Sequence, residues 1–487
     1  MESGPLTARH PIRNGPDQPT RRPDIGSNLH TFISSRLAWP LLHGPWRLEQ
    51  SLARQYYAEK VQDAGLPASE RLTQADGLLG NIFAWAGSTV PYWREVFSSA
   101  GIDPNGIGNP REVLQSLPVT TRDMLQERKE DLRSERWQEL VPRVNHSGGS
   151  TGTPVEFYSD RESRARTASS AWYADSAAGW YPGADTAVLW GADSEVRERR
   201  SALGAFKLWA RNVRLYNTFA TSEEKLLSAH RAMNRRPPEM LIGYAGSLHL
   251  LARLLIERGE RAGYPLRGVI SSAETLSAPM RDDLGRVFGP DKIFNRYGCR
   301  EVGLIAHECP RHNGLHVNID DLVVEVVDDD GKALRPGETG RVLVTALRQC
   351  ALPLIRYDLG DTATWAEGTC DCGDSAPRLA HVTGRSSDTI RTAEGKLIHG
   401  EYFTHLFYGA TPVRRFQFVQ RTPRSYFLRY EAGENLSDDL ERKLRSDLSA
   451  QLGADSVIEF ERCEQIEPSP SGKYKFTLSL VGDKRDA

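Results

Sequence analysis

Cysteine is scarce in this chain, with six in 487 residues. That excludes a disulfide-stapled fold and implies a reduced, cytoplasmic setting. Charge of one sign is lacking as well. Lys and Arg total 62 and Asp and Glu 64, a formal net charge of -2. No global field then favours nucleic acid or an anionic membrane. No apolar run reaches the roughly 18 residues that a membrane span needs. The first residues lack the apolar core of a secretory signal. Internal repeats and low-complexity tracts are absent too. What remains is a soluble composition, 39% hydrophobic, on a chain too long for one core. Two or three domains are expected.

Residues 1–28 are rich in Pro, Gly, Arg and Asn and read as a disordered arm. Aromatic and aliphatic residues return from Leu29, so 29–75 read as a helical extension. A rhythm of alternating strands and helices then sets in. Ala187–Trp190, Met240–Tyr244 and Gly268–Ser272 are short buried strands. Ser222–Met233, Ser247–Arg258 and Ala278–Phe288 are helices, the second closed by Gly259. Such alternation implies an α/β fold with a largely parallel sheet. Near residue 320 the pattern becomes antiparallel, with Leu322–Val327 and Arg341–Thr345 joined through acidic turns. After Gly384 the composition shifts again. A hairpin around Thr422 and Pro423 precedes a helix lined by Leu440, Leu444, Leu448 and Leu452. The expected domains are 76–386 and a small α+β domain over 387–487.

Residues 146–154 read His-Ser-Gly-Gly-Ser-Thr-Gly-Thr-Pro. Glycines free the backbone to expose N–H groups, and hydroxyls add donors, so the loop suits a polyphosphate or a plain surface turn. It lacks the Gly-Lys-Ser/Thr end of a Walker loop. Further segments follow in order. They are Ser271-Ser272-Ala273-Glu274, Asn295-Arg296-Tyr297-Gly298-Cys299-Arg300-Glu301, Ile355-Arg356-Tyr357-Asp358-Leu359-Gly360-Asp361, Gly384-Arg385-Ser386-Ser387-Asp388 and Ser471-Gly472-Lys473. Taken singly, Asp361 reads as a turn cap, Glu301 as a solvated charge and Lys473 as a surface lysine.

Taken together these segments resemble the acyl-adenylate-forming superfamily, within it the phenylacetate–CoA ligases and CapK-like proteins. The likeness spans roughly residues 75–480. It implies a large adenylate-forming domain with mixed sheets and a small mobile α+β lid, hinged near Arg385–Asp388. It implies ATP, Mg²⁺, a carboxylic acid and CoA as reactants. By resemblance, Ser147, Gly149, Ser150, Thr151 and Gly152 hold the β- and γ-phosphates. Ala273, Glu274, Arg296, Tyr297 and Gly298 border the nucleotide. Asp361 accepts from the ribose hydroxyls, and Arg385 approaches ribose or phosphate. Glu301 holds Mg²⁺ and Lys473 bridges the substrate carboxylate and the α-phosphate. Thr153 stands where phenylacetate–CoA ligases often carry lysine, which leans toward the CapK-like branch.

The acid is expected near Tyr216, Gly243, Tyr244 and Ser272, with core packing as the plain alternative for Tyr244. The acceptor stays open among CoA, an amine and a carrier-protein thiol. A catalytically inert binding protein of the same fold is the rival reading, and a homodimer is a possible assembly. Cys370-Asp-Cys372-Gly is a tight chelating turn. With Cys309 and His316 it suits structural zinc, as in some resembling proteins. His307 and His312 rival His316, and the alternative is reduced thiols with no metal.

Overall fold

The structure is a computed structural model. It describes residues 48–146, 155–190, 202–217, 223–385, 389–394, 397–399, 403, 406, 413–467 and 475–481. The arm over 1–28, the glycine-rich loop over 147–154, Asp388 and Lys473 lie outside the described residues.

Helices α1 (Leu48–Asp63) and α2 (Ala68–Thr89) open the described chain. α2 runs unbroken through residues 75 and 76, and its Leu79, Ile82, Phe83 and Ala86 enter the main core. The chain breaks where Pro91 starts the next helix, because proline suits a first helical position. Strands β1 (Arg143–His146) and β2 (Glu156–Ser159) pair antiparallel, His146 opposite Glu156. The glycine-rich loop therefore connects two paired strands. Helix α3 (Arg161–Ala177) follows, its N-terminus capped by the Asp160 carboxylate accepting from the Ser163 N–H.

An α/β run comes next: β3 (Thr186–Trp190), α4 (Ala202–Ala210), β4 (Val213–Asn217), α5 (Glu223–Arg235), β5 (Met240–Tyr244), α6 (Ala245–Glu257), β6 (Gly268–Ser272), α7 (Ala278–Phe288) and β7 (Ile293–Cys299). These five strands are mutually parallel. The remaining neighbours β8 (Gly303–Glu308), β9 (Leu315–Val317), β10 (Leu322–Val327), β11 (Thr339–Ala346), β12 (Tyr357–Trp365) and β13 (Arg378–Arg385) are antiparallel. Together they make one mixed sheet of 11 strands, ordered β10-β11-β12-β13-β9-β8-β7-β6-β5-β3-β4. Strands β5 and β6 are buried along their whole length, as their apolar runs require.

Two short strands, β14 (Thr389–Arg391) and β15 (Leu397–His399), precede a second sheet. It joins β16 (Val413–Thr422), β17 (Ser425–Ala432), β18 (Val457–Cys463) and β19 (Thr477–Ser479) in the order β18-β17-β16-β19. Helix α8 (Asp438–Leu452) buries Leu444, Leu448 and Leu452 against Phe418, Tyr426 and Leu428 of this sheet. The leucine spacing read from sequence is that buried stripe. Among the described residues no helix is long and apolar enough to cross a membrane.

Candidate active site

The chain steps outward from β3 to β4, then back past β3 to β5 and on to β7. That reversal makes a switch point at the carboxyl ends of β3 and β5, where open α/β sheets bind ligands. The predicted acyl residues Gly243 and Tyr244 end β5, and Ser272 ends β6. A Cβ at Gly243 would meet Leu248 at 3.0 Å and the Leu189 carbonyl at 3.1 Å, so a side chain there would need those neighbours to give by a few tenths of an ångström. Trp190, at the end of β3, lies 4.3 Å from Tyr244 between ring centroids. Tyr216 is not in this group. It pairs with Leu189 and therefore faces the other side of the sheet from Trp190 and Tyr244. There it lines a cavity of about 300 Å³ with Leu226 and Ala229.

The predicted nucleotide residues gather beside these strand ends. Ala273 leaves β6 with φ of 67°, a left-handed turn unusual for alanine. The Glu274 carboxylate accepts from the Gly246 N–H at 2.8 Å. It thereby sits on the N-terminus of α6, where its charge suits the helix dipole. In β7, Tyr297 donates its phenol to Asp361 at 2.8 Å, and Asp361 pairs in register with Arg385 of β13. Gly298 falls at a bulge, where a Cβ would meet the Gly303 carbonyl at 2.5 Å. Bulges of this kind re-aim side chains beside functional sites. Arg296 and Tyr297 are adjacent in one strand and point to opposite faces. Arg296 binds Asp175 at 2.7 Å and Ser272 at 3.3 Å.

The turn between β7 and β8 carries Arg300 and Glu301. Arg300 donates to the His146 carbonyl at 3.1 Å, and Glu301 is buried. This turn therefore lies against His146, the residue that precedes the glycine-rich loop in sequence. Burial, reinforced by Glu301, pushes the Cys299 thiol well above its ordinary range. That direction disfavours the thiolate, and Cys299 packs against the main core.

The other cluster is Cys309, His316, Cys370 and Cys372, whose ligand atoms all lie within 4.8 Å of one another. Tetrahedral zinc with bonds of about 2.3 Å to sulfur spaces two sulfurs about 3.8 Å apart. The Cys309 and Cys370 sulfurs are 3.6 Å apart, and Cys372 Sγ is 3.3 Å from His316 Nε2. Hydrogen bonding from Cys309, then from His316, holds the Cys372 thiol far below its ordinary range. The donor set therefore fits zinc. Of the two rival imidazoles, His312 turns to Glu308 and the Asp291 carbonyl. His307 packs edge-on against Tyr173, outside the four.

Sequence reasoning missed Trp190, Asp175 and Arg356 as organisers. Arg356, buried with φ of 48°, donates to the carbonyls of Gln115, Leu117 and Gly331 and to Glu325. Its place inside a quoted motif was the available signal. Trp190 was visible only as a strand-ending aromatic, and Asp175 gave no signal.

Residues 390–479 match the CapK C-terminal domain family. The protein CapK of Staphylococcus aureus is 22% identical over 373 residues, covering 76% of this chain and 80% of CapK. A phenylacetate–coenzyme A ligase of Thermus thermophilus is 26% identical over 330 residues, covering 67% of this chain and 72% of the ligase. The fold is that of 2-hydroxyisobutyryl-CoA ligase, crystallised in its postadenylation state. The TM-score is 0.70 at 18% identity, over 86% of this chain and 92% of the ligase. Over most of its length the chain is thus similar to CapK and to phenylacetate–CoA ligases, it shares its fold with 2-hydroxyisobutyryl-CoA ligase, and its residues 390–479 match the CapK C-terminal domain family.

Proposed function

We propose that this protein activates a carboxylic acid with ATP and passes the acyl group to CoA. A carboxylate oxygen attacks the α-phosphorus, pyrophosphate leaves, and the mixed anhydride acyl-AMP remains. The CoA thiolate then attacks the acyl carbon and AMP leaves. One observation carries this reading. Segments far apart in sequence converge at the carboxyl ends of the parallel strands, tied by the bonds from Tyr297 to Asp361 and from Arg300 to His146.

The residues divide the work by their chemistry. Asp361, steadied by Tyr297, offers carboxylate oxygens to the ribose hydroxyls. The glycine-rich loop, which follows His146 beside Arg300, receives the β- and γ-phosphates. Glu301, a buried carboxylate at that junction, would hold Mg²⁺ together with phosphate oxygens. The ion's chemistry there is charge neutralisation on the leaving pyrophosphate. Arg385, on the strand beside Asp361, approaches the ribose. Lys473 belongs to a lid over residues 387–487 that turns about Asp388 and draws carboxylate and α-phosphate together. Cys309, His316, Cys370 and Cys372 would hold zinc structurally, since four protein ligands leave no open position.

ATP–pyrophosphate exchange over a panel of carboxylic acids tests the first half. At least one acid is expected to drive exchange that requires Mg²⁺. Adding CoA, amines or carrier proteins to the responding acid tests the second half, with thioester formation expected. Exchange with no acid would overturn the enzymatic reading, and an amide product would replace CoA with an amine.

A further inference from the structure

A single row of side chains crosses the sheet where its parallel strands end. Tyr244 pairs with Ser272, and Ser272 with Arg296. Trp190 extends the row through its ring contact with Tyr244. Directly paired residues share a face of the sheet. Two aromatic rings, a hydroxyl and a guanidinium therefore stand side by side. At a strand spacing of about 4.8 Å, Arg296 lies about 10 Å along the row from Tyr244.

The guanidinium is fixed rather than loose. Asp175, at the end of α3, takes one N–H at 2.7 Å, and Ser272 takes another at 3.3 Å. Arginine carries five N–H donors in a planar fork. Among the described residues Arg296 commits two of them. Its side chain keeps 18% exposure while Asp175 keeps 11%. Such a group presents donors in a set direction. Its charge is already balanced by Asp175, so it suits a neutral acceptor better than a second carboxylate.

We propose that Arg296, pinned by Asp175, selects an aromatic carboxylic acid bearing a neutral hydrogen-bond acceptor on its ring. The ring lies along Trp190 and Tyr244, and the hydroxyl, ether or carbonyl substituent meets Arg296 and Ser272. Asp175 is a positioning residue. This inference rests on the ligase reading and names the acid class for it. It also moves Arg296 from the nucleotide side to the acid side of the site.

The test compares benzoate with its 3- and 4-hydroxy forms and with terephthalate, and phenylacetate with 4-hydroxyphenylacetate. Each acid is measured by ATP–pyrophosphate exchange and by calorimetric binding. A hydrogen bond to a charged group predicts a preference for the hydroxylated acid of roughly 10- to 150-fold over its parent. Terephthalate is expected to fall with the parent. The double variant D175A/R296M removes the ion pair as a unit, leaving no lone buried charge. Its preference ratio should drop toward one. D175N alone should lower the ratio partway through KM rather than kcat, which a purely structural role would not do. An equal ratio in the native protein, or an unchanged ratio in D175A/R296M, overturns the proposal. Exchange with every acid and no preference defeats it while leaving the ligase reading intact. Binding that depends on Arg296 without any exchange supports the acceptor site and defeats the ligase reading.

Discussion

A buried arginine is costly unless its fork is fully used, and Arg356 shows how the cost is met. Its guanidinium reaches three backbone carbonyls and the Glu325 carboxylate, tying the β12 motif to the segment around residues 115–117 and to the turn after β10. Arg356→Met removes the positive partner and leaves Glu325 buried. The expected loss is about 3–5 kcal/mol, read as a lower denaturation midpoint. Arg356→Lys should recover only part of it, because an ammonium cannot span the same fork. Asp361→Ala acts differently. If Asp361 accepts from ribose as proposed, its loss should raise the KM for ATP about tenfold or more with little change in melting temperature. A melting loss as large as that of Arg356→Met would show Asp361 to be structural. The sequence placed both residues in one motif and could not separate these roles. Which side chain points into carbonyls and which toward a ligand depends on bulges and register, and both arise from pairing with distant strands.

Elements in this fold are fastened by buried charge as much as by apolar packing. Lys60 of α1 reaches Asn318 at 2.7 Å and Asp321 at 2.8 Å, and Arg71 of α2 bridges Asp320 and Asp374. Asp374 in turn donates its N–H to Cys372 and accepts from Tyr173, so the Cys/His cluster and helices α1 and α2 share one network. Burial alone would raise the Asp321 carboxyl, but Lys60 and Arg166 outweigh it and hold it at about 2, below its ordinary 3.8. The unfolded chain therefore binds this proton first as pH falls. The stability from Asp321 is whole above its ordinary value and is lost as pH falls through about 2. Lys60→Met strands the carboxylate, at a cost of about 3–5 kcal/mol near neutral pH. The gap in melting temperature between variant and native protein should narrow from pH 6 toward pH 3, as protonation relieves the stranded charge. A constant gap would mean that Lys60 acts through packing alone. Zinc belongs at this scale too. Native protein should carry about one zinc per chain, and Cys372→Ser should lose it and melt at a lower temperature. Metal far below one equivalent would leave the four residues as reduced thiols. The cysteine turn was legible from its spacing. The choice of His316 over its rivals was not, because it depends on β8 and β9 pairing His307 against His316 and on which imidazole then meets Cys372.

At the scale of the whole molecule, strands and helices of the α/β run were legible because each is a local pattern bounded by turns. Met240–Tyr244, Gly268–Ser272 and Ala278–Phe288 are found with those bounds. The order of 11 strands was not, since it joins β9 to β13 across three intervening strands, β10 to β12, and more than sixty residues. The row from Trp190 to Arg296 was hidden for the same reason. Division of labour between the two sheets leads to the remaining prediction. The residues proposed to meet the nucleotide and acid lie on the first sheet, whereas Lys473 falls in the sequence segment matched to the CapK C-terminal domain. A cation supplied from a separate body is needed only while that body is docked. If Lys473 draws the carboxylate to the α-phosphorus, its removal slows only the step in which those two anions meet. Lys473→Ala should then reduce adenylate formation by about 10²–10³-fold, the scale of losing one preorganised charge-stabilising group. Transfer from a supplied acyl-AMP to CoA should fall by less than about tenfold, since no new anion is brought to phosphorus. Both half-reactions can be followed separately, by pyrophosphate exchange and by thioester appearance. Equal loss in both would assign Lys473 to folding or to AMP binding, and the lid would have no part in the order of the two steps.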